Sequence, residues 1–372
     1  MTGFGVYVHW PFCRSKCPYC DFVSVPKRGF DEREWLTAFD NSLKRHAEKT
    51  GDRTVTSVFF GGGTPSLMSG ESIRSVIETI RKYYGVDENV EVSLEGNPCS
   101  LESEKMQAFR RAGVNRLSVG VQSLNDADLK FLGRPHSVEQ ALTVLKNAKG
   151  IFPRVSADFI YALPNQTLND WRDELNRVLD LNLKHLSLYQ LTIEEGTFFY
   201  KKGVRPPEDD LAADMFELTD RMTYQAGLER YEVSNHAVSG EECRHNLLYW
   251  HGGEWIGVGP AAHGRFTRNG RFIAAAQSDD IDFWLKHQNG DETVLTTKQK
   301  AEELIFMALR TREGVDRDIF SKIIGTPPES FMDAGTLTDY QTDGFLVCDR
   351  KGIRTTAKGL MILNALCGTL LA

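Results

Sequence analysis

Three cysteines within eight residues, Cys13, Cys17 and Cys20, form the densest group of reactive side chains in the chain. Thiolates spaced C-x3-C-x2-C can hold three irons of a [4Fe–4S] cluster and leave the fourth iron open to a small chelating ligand. Structural zinc is the rival, and it requires a fourth ligand. His9 and Asp21 are the nearest candidates, one on a strand and one directly beside Cys20. Disulfides do not fit well, because the seven cysteines are odd in number and no export signal is evident. The other four, Cys99, Cys243, Cys348 and Cys367, are scattered and read as buried small hydrophobes.

The elements that must position this group form a repeating pattern. Strand-like runs rich in Val, Phe, Leu and Tyr occur at Gly5–His9, Val55–Phe60, Val90–Leu94, Arg116–Val119, Val155–Ile160 and His185–Tyr189. Between them lie stretches with apolar residues at helical spacing: Asp31–Lys49, Gly70–Tyr84, Leu101–Ala112, Ser137–Ala148 and Leu168–Leu181. Ser137 followed by Gln140 has the form of a capping box. Six such repeats predict an α/β fold with a parallel sheet that curls, as an open doubly wound sheet or as part of a barrel. Ligands of such folds bind at the carboxyl ends of the strands. The cysteines follow the first strand. Gly61-Gly62-Gly63-Thr64-Pro65 follows the second, Glu95-Gly96-Asn97-Pro98 the third and Gly120-Val121-Gln122-Ser123 the fourth. The fifth runs through Asp158 into Tyr161-Ala162-Leu163-Pro164, and the sixth ends at Tyr189-Gln190. The glycine loop lacks the Lys-Ser/Thr ending of a phosphate loop. Its amides can receive a carboxylate, or its carbonyls an amine. Glu95 and Asp158 can hydrogen-bond ribose hydroxyls; the blander reading of each is a cap or surface acid.

The chain divides into residues 1–202, 203–294 and 295–372. The first break is at Pro206-Pro207, followed by a helix at Asp210–Gln225 and a stretch dense in Gly, Trp, Tyr and His. The last segment has helices near Thr297–Arg310, Ile319–Ile324 and Ala357–Leu370. Short strands lie at Phe345–Cys348 and Gly352–Arg354, giving a small winged-helix-like module. With 44 basic against 51 acidic residues, net −7, nucleic-acid binding is not expected, and the module reads as a packing appendage. No basic residue precedes Arg14, and the apolar tract 360–372 is too short for a membrane span. The cytoplasm is the expected compartment.

The C-x3-C-x2-C loop with Tyr19 before its last cysteine resembles the hallmark of the radical S-adenosylmethionine (SAM) superfamily. That resemblance implies a partial (β/α)6 TIM-like barrel and a C-terminal α+β extension. It also implies a [4Fe–4S] cluster on Cys13, Cys17 and Cys20 whose open iron takes the amino and carboxylate groups of SAM. More narrowly, Tyr7-Val8-His9-Trp10-Pro11-Phe12-Cys13, the GGGTP loop, Glu95-Gly96-Asn97-Pro98, Leu132-Gly133-Arg134 and Asp158–Pro164 resemble the oxygen-independent coproporphyrinogen III oxidases. By that likeness Gly62, Gly63, Thr64, Glu95, Gln122, Arg134 and Asp158 line the SAM site, with Tyr7 and Tyr19 at its edge.

Two branches of that group differ at identifiable positions. The coproporphyrinogen dehydrogenases carry a fourth cysteine two residues after the third; Phe22 stands there in this chain. They also have a longer stretch before the Tyr-Val-His segment. The heme-chaperone branch, HemW, lacks both and carries H-N-x-x-Y-W, present as His245-Asn246-Leu247-Leu248-Tyr249-Trp250. This branch implies heme as cargo, apo-hemoproteins as acceptors and an electron donor for the cluster. Histidine is the usual axial ligand of heme iron, so His245 is the expected contact, with Asn246 beside it and Tyr249 and Trp250 as apolar walls. The blander reading makes His245 a satisfied histidine and the two aromatics ordinary core. His251 and His263 are lesser candidates.

Overall fold

The computed structural model describes residues 3–27 and 29–371. Six strands carry the core: β1 Phe4–Trp10, β2 Thr54–Gly62, β3 Gly85–Gly96, β4 Arg116–Gln122, β5 Arg154–Tyr161 and β6 His185–Gln190. They pair in sequence order, all parallel. Each is followed by a helix: α1 Glu32–Thr50, α2 Gly70–Tyr83, α3 Ser103–Ala112, α4 Val138–Ile151, α5 Leu168–Leu179 and α6 Asp209–Gln225. The capping box of Ser137 and Gln140 opens α4, and a second, Thr167 with Asp170, opens α5. Such caps satisfy backbone N–H groups that a helix start otherwise leaves unpaired.

Alternation along the strands sorts residues between two faces. Val6, Val8, Val58, Phe60, Val92, Leu94, Leu117 and Val119 are buried among the helices. Trp10, Trp35 and Trp284 pack there ring on ring, at 5.4 and 5.9 Å between centroids. The opposite face carries Tyr7, Ser57, Glu91, Glu95, Arg116, Asp158 and His185. Side chains of non-adjacent strands meet on it: Arg154 of β5 reaches Glu91 of β3 at 2.5 Å, and Arg116 of β4 reaches His185 of β6 at 3.3 Å. That face is therefore concave, and a partial barrel encloses it.

The sheet has twelve strands among the described residues. β7 Glu229–Glu232 and β8 Asn235–Ala237 continue it antiparallel beyond β6. On the other side β9 Glu254–Val258 pairs parallel with β1, and β10 His263–Arg268, β11 Arg271–Gln277 and β12 Gly290–Leu295 form a meander. The helix α7 Arg244–Trp250 lies between these two additions in sequence and packs against β1, β2 and β9.

The last segment has its own apolar cluster, including Leu304, Ile305, Phe320, Ile353 and Leu366. It contains α8 Thr297–Ala308, the helix Arg317–Ile324 and a three-stranded sheet of Val315–Asp316, Gly352–Thr355 and Leu346–Cys348. The single helix expected at Ala357–Leu370 is two. Ile362, at φ −117° and ψ 20°, breaks it into Ala357–Met361 and Leu363–Leu370. A helix at Ala334–Thr342, absent from the sequence-based reading, has no fully buried residue and packs against the cluster only through partly buried Leu337 and Tyr340.

Candidate functional site

The cysteine loop is clamped at both ends. Phe12–Cys13 pairs with Val25–Pro26, the Val25 N–H donates to the Pro11 carbonyl at 2.9 Å, and that of Lys27 to the Cys13 carbonyl at 3.1 Å. Within it, the Cys20 N–H donates to the Cys17 carbonyl at 3.1 Å. All three thiols, with Tyr19, line one cavity of about 340 Å³ at the carboxyl ends of the strands. They are close enough that Cys17 and Cys13 add to the effect of burial in raising the Cys20 thiol. Two donors point at sulfur: Thr64 Oγ1 at 3.4 Å from Cys13 and Arg134 Nη1 at 3.2 Å from Cys17. Donors of this kind stabilise thiolates and tune a cluster they hold.

The zinc alternative loses a ligand. Both ring nitrogens of His9 are engaged, Nδ1 with the Tyr7 hydroxyl at 3.2 Å and Nε2 with the Val23 carbonyl at 2.9 Å. Among the described residues, no three His, Cys, Asp or Glu side chains gather about a single-ion position. Three thiols lining one cavity of about 340 Å³ suit a four-iron cube with room for a further ligand better than one small ion.

The remaining expected residues converge on the same space. Gly62, Gly63, Thr64, Glu95, Gln122, Arg134 and Asp158 all line it. Gly63 fits because it has no side chain: a Cβ there would stand 2.8 Å from the Phe12 carbonyl oxygen. Gly62 has φ +102°, which favours glycine. The amides of this loop are already used. Gly63 donates to the Trp10 carbonyl at 2.7 Å and Thr64 to that of Phe12 at 2.8 Å, while Gly62 donates to Glu95. The carboxylate-receiving role considered for them is therefore excluded, which leaves the carbonyls as the loop's means of meeting an amine. At the end of β4 the register slips between Gly120 and Gln122, and Gln122 takes φ 75°. A bulge with a left-handed non-glycine residue costs about 1 kcal/mol or more and re-aims a side chain.

Glu95 and Asp158 sit in the cavity wall as a coupled pair. Burial, with the charge of Asp158 beside it, pushes Glu95 up to about 8. Burial also raises Asp158, although Ser118 donates to it at 2.9 Å. At neutral pH the pair therefore retains a proton, which suits it to hydrogen-bond neutral hydroxyls. Asn97, to which sequence reasoning gave no role, is the hinge of the polar wall. It accepts from Arg134 Nη2 and donates to Thr64 Oγ1 at 3.1 Å. Arg134 Nη2 also reaches the Gly120 carbonyl at 3.0 Å. Tyr7, expected at the edge of the site, is not among the residues lining this cavity; its hydroxyl meets His9 Nδ1 at 3.2 Å.

The His-Asn-x-x-Tyr-Trp run is divided between two places. His245 is buried on the concave face, with Nδ1 2.8 Å from Ser57 Oγ and Nε2 2.6 Å from the Tyr249 hydroxyl. Burial lowers it to about 3, so it is neutral. Tyr249 packs between His245 and Trp255, at 4.7 and 4.4 Å. Asn246 is half-buried. The Glu91 carboxylate fixes this helix by accepting the N–H groups of Arg244 at 3.1 Å and His245 at 3.2 Å. As folded, His245 presents no free ring nitrogen, and an axial role requires it to leave Ser57 and Tyr249. Trp250 faces elsewhere and lines a second cavity, and His263 is exposed on β10.

The model of the radical SAM superfamily matches residues 7–178, and that of the HemN C-terminal domain matches residues 295–362. A mitochondrial radical S-adenosyl methionine domain-containing protein 1 of Mus musculus is 38% identical over all of this chain and 88% of its own. The heme chaperone HemW of Buchnera aphidicola subsp. Acyrthosiphon pisum is 32% identical, covering 98% of each chain. HemW of Escherichia coli K12 is 37% identical over 75% of this chain and 74% of its own. The solved structure of coproporphyrinogen III oxidase HemN from Escherichia coli superposes with a TM-score of 0.83 over all of this chain and 90% of that one; at 22% identity it speaks for the fold. A cavity ringed by three thiols at the carboxyl ends of six parallel strands, joined to a HemN-type C-terminal segment, leads to the same place as these likenesses: the chain belongs to the HemN- and HemW-like group of the radical SAM superfamily.

Proposed function

We propose that this protein is a heme chaperone: it holds a [4Fe–4S] cluster and SAM in the strand-end cavity, binds heme and passes it to apo-hemoproteins. The observation that carries this reading is the residue at position 22. Where the decarboxylating branch has its fourth cysteine, a phenylalanine stands 58% exposed beside the cluster loop. Relatives named as heme chaperones, one of which matches 98% of this chain, support the same choice.

Cys13, Cys17 and Cys20 would hold the cluster, which when bound supplies one-electron chemistry and an open iron for SAM. Thr64 and Arg134 donate to the sulfurs. Arg134, whose Nε is buried without a partner, would receive the amino-acid carboxylate, and the carbonyls of the glycine loop would take the amine. Glu95 and Asp158 hold ribose hydroxyls. Acceptor proteins and an electron donor complete the proposal. The cytoplasm is the compartment proposed, on the ground that all seven cysteines are free thiols, which a reducing compartment preserves. No helix among the described residues is long and apolar enough to cross a membrane.

The test is anaerobic reconstitution with iron and sulfide. Electron paramagnetic resonance of the reduced protein should show a [4Fe–4S] signal that changes when SAM is added, and hemin titration should saturate. Efficient conversion of coproporphyrinogen III to protoporphyrinogen with SAM and reductant would replace the chaperone by the dehydrogenase.

A further inference from the structure

Trp250 and His251 stand at the end of α7, and both line a cleft of about 710 Å³ between that helix and the C-terminal segment. This is about twice the volume beside the cysteine loop, and it falls within the roughly 300–1,000 Å³ of pockets that take cofactors. Its walls are mostly apolar: Leu304 and Ala308 from α8, with Ile319, Phe320 and Ile323 opposite. Trp250 is only partly buried and lines the cleft, and it makes no ring contact with another aromatic side chain among the described residues. The loop after it is fixed closely. Gly252, at φ +69°, passes so near α8 that a Cβ would collide with Leu304.

His251 differs from His245 in the one respect that matters for coordination. Its Nε2 is shielded from solvent and pairs with Glu313 Oε2 at 3.1 Å, while Nδ1 makes no hydrogen bond among the described residues and is the nitrogen left for a metal. At the rim stand Arg350, Lys351 and Arg354. The acids nearby are occupied: Asp316 accepts the Ile319 N–H at 2.8 Å, and Asp349 binds Arg354 at 2.7 Å as well as two backbone amides. Arg350 and Lys351 enter no ion pair among the described residues, so two cations remain for a ligand's carboxylates.

We propose that this cleft is the heme site, with His251 as axial ligand, Trp250 as a stacking wall, and Arg350 and Lys351 receiving the propionates. The proposal rests on the chaperone reading and deepens it. A flat apolar macrocycle with a metal centre and two carboxylates at one edge matches the shape and the charge of the cleft. His245 and Tyr249 then hold the helix that carries Trp250 to the cleft.

The experiment titrates the full-length protein with hemin and follows the Soret band. His251→Ala should shift the band and weaken binding about tenfold or more. Imidazole added to His251→Gly should restore the band. Ile319→Trp, which fills the cleft from a partly exposed position, should weaken uptake while the melting temperature holds. Metal-free protoporphyrin IX should bind more weakly and be indifferent to His251→Ala. Saturable heme binding with band and affinity unchanged in both His251→Ala and Ile319→Trp would overturn the cleft and leave the chaperone reading standing. A wild-type protein that binds no heme saturably would overturn both.

Discussion

Glu91 and Glu95 lie four residues apart on one strand, on the same face, and burial acts on both. Their partners decide the outcome. Glu91 is opposed by burial, yet Arg116, Arg154 and two helix amides hold it below the usual carboxylate range. A carboxylate depressed in this way stabilises the fold above its unfolded value near 4.5, and that contribution is lost as pH falls through the folded value. Glu91→Ala leaves Arg154 with Glu241 alone, withdraws the negative charge facing buried Arg116 and unpins α7. The expected loss is about 3–5 kcal/mol, checked by denaturant unfolding at pH 7. Glu95 has Asp158 beside it and is pushed up to about 8. Here the sign reverses. The folded protein holds a proton that the unfolded chain releases, so stability declines as pH rises from about 4.5 to about 8. Glu95→Gln should melt above the parent at pH 9, by about 2–4 °C, and match it near pH 5. An unchanged difference between the two pH values would count against the coupled pair. Sequence alone indicated that Glu95 follows the third strand and that Asp158 lies in the fifth. It did not indicate that they share a proton, because charge coupling depends on which strands curl toward each other. The same limit applies to His245: its type and motif were visible, while the Ser57 and Tyr249 partners came from strands and turns far from it or one turn on.

Among elements, the parallel strands and their helices were readable because each carries a period that burial imposes. The six strand expectations fall inside the observed β1 to β6, and Ser137 with Gln140 caps α4 as its spacing indicates. The meander from β9 to β12 escaped notice because its Gly- and aromatic-rich composition blurs alternation. The helix Ala334–Thr342 escaped because only Leu337 and Tyr340 pack against the core, too few to mark a helical period. The glycine loop illustrates a subtler gap. Three glycines announce close backbone approach, but not which backbone approaches. It is the chain's own residues 10–12, hydrogen-bonded to the loop's amides. Gly63→Ala should force that contact apart and cost about 1–3 kcal/mol. Reconstituted protein should then show less acid-labile sulfide per chain than the parent, because Thr64 loses its place beside Cys13.

For the whole molecule, stability and cofactor ligation reside in different parts. The apolar clusters lie behind the sheet and within the C-terminal segment. The three thiols proposed to hold the cluster sit together on a loop whose two ends are already tied by backbone hydrogen bonds. A crosslink stabilises most when it joins distant segments of chain, and this one joins neighbours. Removing iron and sulfide by chelation under anaerobic conditions should therefore move the calorimetric melting temperature by less than about 5 °C. A larger fall would show that the cluster also props the barrel.

That clamped loop bears on life in air. An exposed iron–sulfur cube is readily destroyed by oxygen, and in many small metalloproteins its loss unravels the chain and condemns it to proteolysis. If the melting temperature holds after chelation as predicted, a molecule stripped by oxygen would keep its fold and its open cavity, and each oxidative hit would leave a refillable socket.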